Sequence, residues 1–482
     1  MGVLSNLQPE KVFYYFEEIT RIPHGSGNIE QISDYLVNFA KERKLFYIQD
    51  EIKNVIIVKE ATPGYEKEPA VILQGHMDMV AVKKPDCDID MKTEGLRVAI
   101  KGDRIYAEGT SLGGDDGIAV AYALAILDSD DLKHPRLEVI LTVDEETGMD
   151  GAKAIDLSML QGHRMLNLDS EEEGIFLTSC AGGAKVDCGL KLKKMTMEGV
   201  TYEVTVGGLL GGHSGAEIHK ERGNSNCLFG RLLWKLTQGL QLGMIAVNGG
   251  LADNAIPRET RALLVVNSAD SVQFERIVKN TEAEIAEELA TKDPNFTIRV
   301  KQDGEGSFEC TIPEDTAKAA AFLIALPNGV QGMSADMPGL VETSLNMGIL
   351  KCVDGELRVA FAVRSSVETA KEALIARLKA VVQLSNGFCA VAGDYPGWKY
   401  RVDSPLREKM VALYDKMYGV KPKVEAIHAG LECGLLGSKI TALDCVSFGP
   451  QMEDIHTTEE TLSIASTARV WEFLVKLLEE KD

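Results

Sequence analysis

Four short and almost uninterrupted apolar runs in the first 170 residues constrain the fold of this chain most strongly. Continuous apolar runs of this length are typical of strands that are buried on both faces of a sheet. A helix is predicted between the second and third runs, over 117–128 (GIAVAYALAILD). The pattern predicts an α/β fold with a central mixed sheet between helices, and ligands should gather beyond the carboxyl ends of its strands. The runs are NVIIVKE (54–60), AVILQGH (70–76), RLEVILTVDEE (136–146) and RMLNLDS (164–170).

The pattern changes after about residue 185. Segments such as KVDCGLKLKK (185–194) and GVTYEVTVGGL (199–209) alternate or look half-exposed, as antiparallel strands do. Turn residues in GDYPGWKY (393–400) mark a second boundary, after which helix and strand resume. We therefore expect a catalytic domain made of 1–185 and 397–482, interrupted by an inserted α+β domain over 186–396.

Charge and cysteine content exclude several classes of protein. The formal net charge of −22, from 51 basic and 73 acidic residues, argues against nucleic acid or an anionic membrane as a main partner. No stretch approaches 18 consecutive apolar residues, and the first residues do not read as a signal peptide. The nine cysteines include no CxxC pair and are most simply reduced core residues. These features predict a cytoplasmic protein.

The first polar side chains after a predicted strand are His76 and Asp78, in QGHMD. Residues two apart on an extended chain face the same way. A histidine that binds a metal ion through one ring nitrogen usually donates its other N–H to a carboxylate, and Asp78 is placed to accept it. Taken alone, such a pair is more simply explained as a surface feature of a strand end.

Carboxylates follow at three further points. Asp115 and Asp116 stand behind a Gly-Gly turn before the predicted helix, where a helix cap and a functional site are about equally good explanations. Glu145 and Glu146 close the third apolar run, and Asp169 follows the fourth. Buried strand ends tolerate such charges only beside a metal ion or a counter-charge, and no Lys or Arg follows closely. On an extended strand, Glu145 and Glu146 would point to opposite sides and act on different partners.

A late histidine, His456, lies in SFGPQMEDIHTTEE before the last predicted helix (459–480). Thr457 or Thr458 is predicted to cap that helix, with Glu460 in its first turn. A capping loop explains the threonines but leaves the histidine unexplained.

The order HxD, GGDD, EE, D and a late H after a large insertion resembles the co-catalytic zinc metallopeptidases. This family includes bacterial dipeptidases, aminoacylases, glutamate carboxypeptidases and carnosinases, and the resemblance covers nearly the whole chain. Further motifs are similar to those of the aminoacyl-histidine dipeptidases, which cleave Xaa-His dipeptides such as carnosine. These motifs are GGDDGIA, SCAGGA, GGHSGAEIHKERGN, NAIPRE and HAGLECGLL.

The resemblance implies a zinc-peptidase-like catalytic domain that holds two zinc ions per subunit, with manganese or cobalt as substitutes. By resemblance, Glu145 is the general base for a water shared by the two ions, and Asp78 supports the first histidine. The implied activity is hydrolysis of Xaa-His dipeptides, so the partner is a small peptide. The implied metal ligands are His76 and Asp169 for one ion, Glu146 and His456 for the other, and Asp115 as the bridge.

The resemblance also makes the inserted domain a lid that completes the substrate site. His213 would stabilise the oxyanion and Arg364 would bind the substrate carboxylate, with Asn254 and Arg258 as weaker candidates for the same pocket. Glu432 would face the free amine of the substrate, although a structural acid at a turn explains it nearly as well. A homodimer through the lid is a further expectation, with His213 acting within its own chain or across the dimer.

Several alternatives stay open from the sequence. A broad-specificity dipeptidase, an aminoacylase or a carboxypeptidase of the same family would share every metal ligand. A catalytically inactive metal-binding protein is more distant, because the proposed base Glu145 is present. A nucleotide-binding α/β protein is disfavoured, because no GxGxxG or GxxxxGK[ST] follows a predicted strand.

Overall fold

A computed structural model describes residues 2–481. None of the helices in this range combines the length and the apolar character that crossing a bilayer requires. The strands are β1 Phe46–Gln49, β2 Val55–Lys59, β3 Val71–His76, β4 Val98–Lys101, β5 Arg104–Ala107, β6 Leu137–Thr142, β7 Arg164–Asn167, β8 Ile175–Cys180, β9 Gly182–Lys191, β10 Lys194–Gly207, β11 Gly212–His213, β12 Leu242–Gly249, β13 Ala255–Ile256, β14 Thr260–Val266, β15 Thr297–Thr311, β16 Gly329–Met333, β17 Val341–Val353, β18 Glu356–Ser365, β19 Phe388–Tyr395, β20 Lys423–Ile427, β21 Asp444–Ser447, β22 Met452–Glu453 and β23 Thr461–Ser463. The α-helices are α1 Glu10–Thr20, α2 Glu30–Glu42, α3 Gly114–Leu127, α4 Glu145–Gly148, α5 Asp150–Ala154, α6 Ser225–Thr237, α7 Ser271–Leu289, α8 Pro313–Ala325, α9 Glu368–Leu384, α10 Pro405–Tyr418, α11 Glu432–Lys439 and α12 Ile464–Glu479.

The chain folds into two compact units. The first comprises residues up to Ser179, Tyr400–Ala426 and residues from Leu431 onward; the second comprises Cys180–Lys399 and the short segment Ile427–Gly430. This short segment belongs to the second unit because Ala429 accepts a hydrogen bond from the Ala181 N–H (2.9 Å) and the His428 ring bonds Ser344 Oγ (2.7 Å). The sequence predicts this segment as part of the catalytic domain, because nothing local distinguishes it, and the structure places it in the second unit instead.

The first unit is built on a mixed eight-stranded sheet with the order β1-β2-β6-β3-β7-β21-β8-β20. Four adjacent strands, β6, β3, β7 and β21, are parallel, and their outer neighbours β2 and β8 run antiparallel to them. This confirms the predicted mixed sheet. The carboxyl ends of the four parallel strands therefore lie along one edge.

Helix α3 lies against this sheet and is buried along its whole length. Its small and aliphatic residues permit close approach: a Cβ at Gly75 of β3 would lie 2.6 Å from the Cβ of Ala119. One hydrophobic core includes side chains of α1, α2, α3, α10 and α12 together with the sheet. The packing of α3 against β3 fixes the position of Gly75, which directly precedes His76.

Two local predictions in this unit were wrong. The chain after β6 does not stay extended: Asp144 adopts a left-handed conformation (φ 53°), and Glu145 and Glu146 begin the short helix α4. The last helix begins at Ile464 rather than 459, and the side chain of Ser463 caps it by accepting from the Ser466 N–H. Neither Thr457 nor Thr458 is the cap, and Glu460 precedes the helix.

The second unit is a nine-stranded sheet in the order β15-β10-β14-β12-β17-β18-β9-β19, with β16 paired to β17. Its pairings are antiparallel. Helices α6, α7, α8 and α9 share its hydrophobic core. A separate ladder of two strands, β11 and β13, carries His213 opposite Ala255.

Candidate metal centre

Four segments of the first unit deliver acids and histidines to one edge of the mixed sheet. His76 ends β3, Glu145 and Glu146 follow β6, and Asp169 follows β7. The fourth segment is the turn that opens α3, which contributes Asp115. The sequence predicted this convergence from the apolar runs, and the parallel pairing of the strands is its physical cause.

Asp115 lies between two histidines. Its Oδ1 is 3.1 Å from Nε2 of His76, and its Oδ2 is 3.0 Å from Nε2 of His456. Asp115 and His76 are buried, whereas the His456 side chain is 45% exposed. The Asp115–Asp116 peptide bond is cis, and both residues have non-helical backbone angles. One carboxylate thus contacts two imidazoles through different oxygens, as a bridging ligand would.

The hydrogen bonding of His76 indicates which ring nitrogen is free for a metal ion. Nδ1 lies 2.9 Å from the carbonyl oxygen of Asp78, which can only accept, so Nδ1 carries the proton. In the neutral ring, Nε2 then presents a lone pair toward Asp115 Oδ1. A lone pair facing a carboxylate oxygen is unfavourable unless a proton or a cation lies between them.

The second histidine has a similar excess of acceptors around it. Nε2 of His456 lies 2.9 Å from Glu146 Oε1 as well as close to Asp115, and one nitrogen can donate only one proton. Glu146 Oε1 is buried and makes no hydrogen bond. An orphaned carboxylate oxygen beside a histidine and a second carboxylate fits a divalent cation.

Three ligand groups meet the spacing that a metal ion requires, with all ligand atoms of a group within 4.8 Å of one another. They contain every residue proposed from the sequence as a metal ligand. They also contain Asp116 and Glu145, which had not been proposed as ligands. The groups are His76, Asp116 and Asp169; His76, Glu145 and Glu146; and Asp115, Glu146 and His456.

The crowding of acids perturbs their titration. Burial raises the pKa of Asp169 to about 8 and raises that of Glu145 well above its usual range, with neighbouring carboxylates adding to both shifts. The hydrogen bond to Asp115 and the adjacent Glu146 carboxylate raise the pKa of His456 to about 10. Buried carboxyls with raised pKa values beside a histidine with a raised pKa fit a site that accommodates cations.

Asp78 acts mainly on the backbone of the short helix α4. Its Oδ1 accepts from the Glu145 N–H (3.0 Å), and its Oδ2 accepts from Ser26 Oγ (2.8 Å) and the Glu146 N–H (3.4 Å). The carboxylate lies 3.5 Å from Nδ1 of His76, while the carbonyl oxygen of the same residue is closer. Asp78 therefore supports His76 through its backbone and the two glutamates through its side chain.

Glu432 is fully buried beneath the site, where it does not face an open cleft. Its Oε2 accepts from Gln74 Nε2 and Thr142 Oγ1, both at 2.6 Å, and Oε1 has no hydrogen-bond partner. Burial raises its pKa to about 7. The expectation that Glu432 faces the substrate amine is not supported by this position.

The remaining predicted residues lie in the second unit. His213, Asn254 and Arg258 line a cavity of about 800 Å³. Nδ1 of His213 accepts from the backbone N–H groups of Gly215 and Ala216 (3.3 and 3.1 Å), so its proton is on Nε2. Burial and then the nearby Arg364 lower the pKa of His213. The ring is therefore a neutral hydrogen-bond donor.

Arg364 lies on β18 directly opposite Ser344 of β17. Its Nε is buried without a hydrogen-bond partner. His428 bonds Ser344 Oγ through Nε2 and has a buried Nδ1 that makes no hydrogen bond. His428 was not among the predicted site residues; its place in HAGLECG, a motif of the resemblance, was the only signal.

Two further acids of the first unit contact the residues of the site. The sequence predicts Asp116 as a helix cap or a group that supports a metal ligand, and only Glu460 differs from its prediction. Asp116 is buried and accepts from the His76 N–H through Oδ2 (3.2 Å). Glu460, expected in a helix, instead contacts the turn that carries Asp115. A second acid in GGDD and a second glutamate in TTEE were the available signals, but neither spacing specifies these contacts.

Comparison with known proteins gives consistent matches. The model of Peptidase family M20/M25/M40 matches residues 72–480. The cytosol non-specific dipeptidase of Escherichia coli K12 is 37% identical over 100% of this chain and 99% of its own length. The crystal structure of aminoacylhistidine dipeptidase from Vibrio alginolyticus superposes with a TM-score of 0.93 at 35% identity, covering 99% of this chain and 98% of that one. An aminopeptidase, PepT from Bacillus cereus, shares the fold at 17% identity (TM-score 0.55, 98% of each chain).

Proposed function

This chain belongs to Peptidase family M20/M25/M40, and on that premise we propose that it is a metal-dependent dipeptidase that cleaves Xaa-His dipeptides. The observation that carries the proposal is the Asp115 carboxylate, whose two oxygens contact histidines from separate chain segments. The two full-length relatives, one named a non-specific dipeptidase and one an aminoacylhistidine dipeptidase, support the substrate class.

The residues proposed to hold two metal ions are His76 and Asp169 for one, Glu146 and His456 for the other, and Asp115 for both. Their oxygen and nitrogen donors suit zinc, and manganese or cobalt could replace it. When bound, such ions supply Lewis-acid polarisation and a lower pKa for water at the site. The orphaned Glu146 Oε1 and the lone pair of His76 are the features of this chain that fit them.

Glu145 is proposed to take a proton from the attacking water and to give it to the leaving amine. Burial raises its pKa above the usual range of a glutamate, which favours a carboxylate that can accept a proton from water. The bond from its N–H to Asp78 fixes where its side chain starts. Glu145 thus transfers the proton, and Asp78 positions the backbone of Glu145.

Substrate contacts are proposed for four residues of the second unit. His213 would donate from Nε2 to the developing oxyanion, which the two backbone bonds to its Nδ1 favour. Arg364 would bind the terminal carboxylate of the substrate through its guanidinium. Asn254 and Arg258, which line the same cavity as His213, are proposed to contact the substrate as well.

Two properties of the whole protein complete the proposal. Its nine cysteines are free thiols, which supports a cytoplasmic location. A homodimer through the second unit is proposed as the assembled state, and sedimentation velocity of the zinc-loaded protein would measure it.

The deciding experiment is a substrate panel with zinc-loaded protein: Xaa-His dipeptides, Xaa-Gly dipeptides, N-acyl amino acids and longer peptides. We expect hydrolysis of dipeptides only, with kcat/KM at least about 10-fold higher for Xaa-His than for Xaa-Gly. Equal values for both dipeptide classes would favour the non-specific dipeptidase, which the name of the E. coli relative supports. Turnover of only N-acyl amino acids or only longer peptides would identify an aminoacylase or a carboxypeptidase instead.

A further inference from the structure

Glu460 directs its whole carboxylate at one turn of the backbone. Oε2 accepts from the N–H groups of Leu112 (2.7 Å) and Gly113 (3.0 Å), and Oε1 accepts from those of Gly114 (2.8 Å) and Asp115 (3.3 Å). Glu460 is only 3% exposed. Four consecutive N–H groups are therefore held by one charged acceptor in a place that water scarcely reaches.

This turn is the part of the chain that places Asp115. Gly113 has a left-handed conformation (φ 67°), and Asp115 departs from helical geometry (φ −83°, ψ 107°) although it precedes a long helix. The direction of the Asp115 side chain is consequently not determined by the helical geometry of α3. The Glu460 carboxylate supplies hydrogen bonds from outside the turn that hold its backbone.

The same glutamate also belongs to the segment that carries His456. It lies four residues after His456 and directly before β23, which pairs with β5 through Leu462 and Ile105. Asp115 and His456, whose side chains meet at 3.0 Å, are thus joined a second time through the Glu460 carboxylate.

We propose that Glu460 is a positioning residue for the metal centre, which sets metal affinity by holding the backbone of Asp115 in register with His456. This inference rests on the proposed function. A residue that supports a ligand from behind typically changes metal affinity by about 10–100-fold when it is altered. A purely structural glutamate would change stability and leave affinity alone.

The chain offers a matched structural glutamate, Glu138. It is fully buried on β6 and accepts from the backbone N–H groups of Gln161 and Gly162 (3.0 and 2.9 Å). Its strand begins at Leu137, so Glu138 lies at the end of β6 remote from Glu145. Glu138→Gln therefore removes a charged acceptor of backbone N–H groups without touching the turn at Asp115.

The test is zinc affinity by competition with a chelating dye, together with the visible absorption spectrum of the cobalt-loaded protein. Glu460→Gln places an amide NH2 group against backbone N–H donors, which cannot accept from it. We expect the zinc affinity of this variant to fall about 10–100-fold and its cobalt spectrum to change. Excess zinc should restore kcat. Glu138→Gln should lower the unfolding temperature with wild-type zinc affinity. Gly114→Ala, whose Cβ would lie 3.2 Å from Glu460 Oε1, should weaken zinc binding in the same direction but less.

Wild-type zinc affinity and an unchanged cobalt spectrum in Glu460→Gln would overturn the inference while leaving the proposed function intact. If circular dichroism showed that Glu460→Gln does not fold, the Gly114→Ala protein would decide, and wild-type affinity there would also overturn it. A wild-type protein that binds neither zinc nor cobalt would refute the proposed function itself.

Discussion

The carboxylate of Asp78 accepts a hydrogen bond from the backbone N–H of Glu145, with a distance of 3.0 Å between N and Oδ1. Because Asp78 comes from the loop after β3 and Glu145 from the short helix α4 after β6, this bond connects the ends of two strands. The Asp78 carboxylate also accepts a hydrogen bond from Ser26 Oγ, and this bond holds the carboxylate in place. The proposed base therefore stands on a fixed backbone.

Asp78→Asn tests this relationship. The amide keeps the size of the side chain, but only one oxygen remains for the N–H groups of Glu145 and Glu146. We expect kcat to fall about 10–100-fold with two metal ions still bound, as measured by steady-state kinetics and elemental analysis. Asp150→Asn, on the exposed start of α5, is the control and should retain activity. Full activity in Asp78→Asn would show that the bond is dispensable.

Replacing the proposed base Glu145 and replacing the proposed ligand His456 should have different effects on metal content. Glu145→Ala should abolish turnover with both metal ions retained, because it removes the proposed base and no proposed ligand. His456→Ala should lose metal, because it removes a nitrogen donor beside Asp115 and Glu146. Measurements of metal content and kcat in the two variants test these expectations, and the variant Glu172→Ala, at an exposed position, is the control. Near-normal turnover in Glu145→Ala would contradict its assignment.

Metal removal should lower both activity and stability. Without cations the carboxylates of the site are costly to ionise, because burial and then repulsion from neighbouring carboxylates raise the pKa of Asp169 to about 8. A metal ion at 100 times its dissociation constant stabilises the folded state by about 2.7 kcal/mol. We expect EDTA to lower the unfolding temperature and zinc to restore it together with hydrolysis. Activity that is indifferent to both treatments would remove the metal hypothesis.

His428 should make the protein sensitive to acid. Burial and then Arg364 lower its pKa from 6.5 to about 4, so between these pH values the unfolded chain binds a proton that the folded chain does not. Stability is therefore lost as the pH falls through this window, by about 2 kcal/mol at pH ~4.5 from this residue. Urea unfolding at neutral pH and at pH ~4.5 should show a smaller loss in His428→Gln than in wild type. The exposed His163→Gln should behave as wild type in this comparison.

His213→Ala should lower kcat about 10²–10³-fold, the usual cost of losing one oxyanion donor. Zinc content and the unfolding temperature should not change, because His213 is exposed and lies in the second unit. His219→Ala, another exposed histidine of the same segment, is the matched control. A rise in KM with unchanged kcat would assign His213 to substrate binding rather than to the oxyanion.

The sequence predicts the sheet and the origin of its polar edge well, because both follow from local patterning. The run AVILQGH is apolar apart from Gln74 until His76, and the end of each parallel strand leaves its next polar residue at the same edge. The mixed sheet and the positions of His76, Glu145 and Asp169 therefore required no long-range information.

The missed features depend on contacts between distant segments. Asp144 leaves the extended conformation where its Oδ1 accepts from the Gly27 N–H, 117 residues away. Glu460 bonds residues about 345 positions earlier, so TTEE reads as the start of a helix when taken alone. His428 and its neighbours join the second unit through Ser344 and Ala181, which no local pattern indicates.

The strand β21, Asp444–Ser447, lies inside the sheet between β7 and β8, although almost 280 residues separate it in sequence from β7. A nascent chain on the ribosome that has not yet released this strand cannot close the sheet, and it also lacks His456 and Glu460. The inserted unit, which ends at Gly430, is synthesised before that point. Metal binding at the proposed site would consequently follow translation of the segment that carries His456 and Glu460.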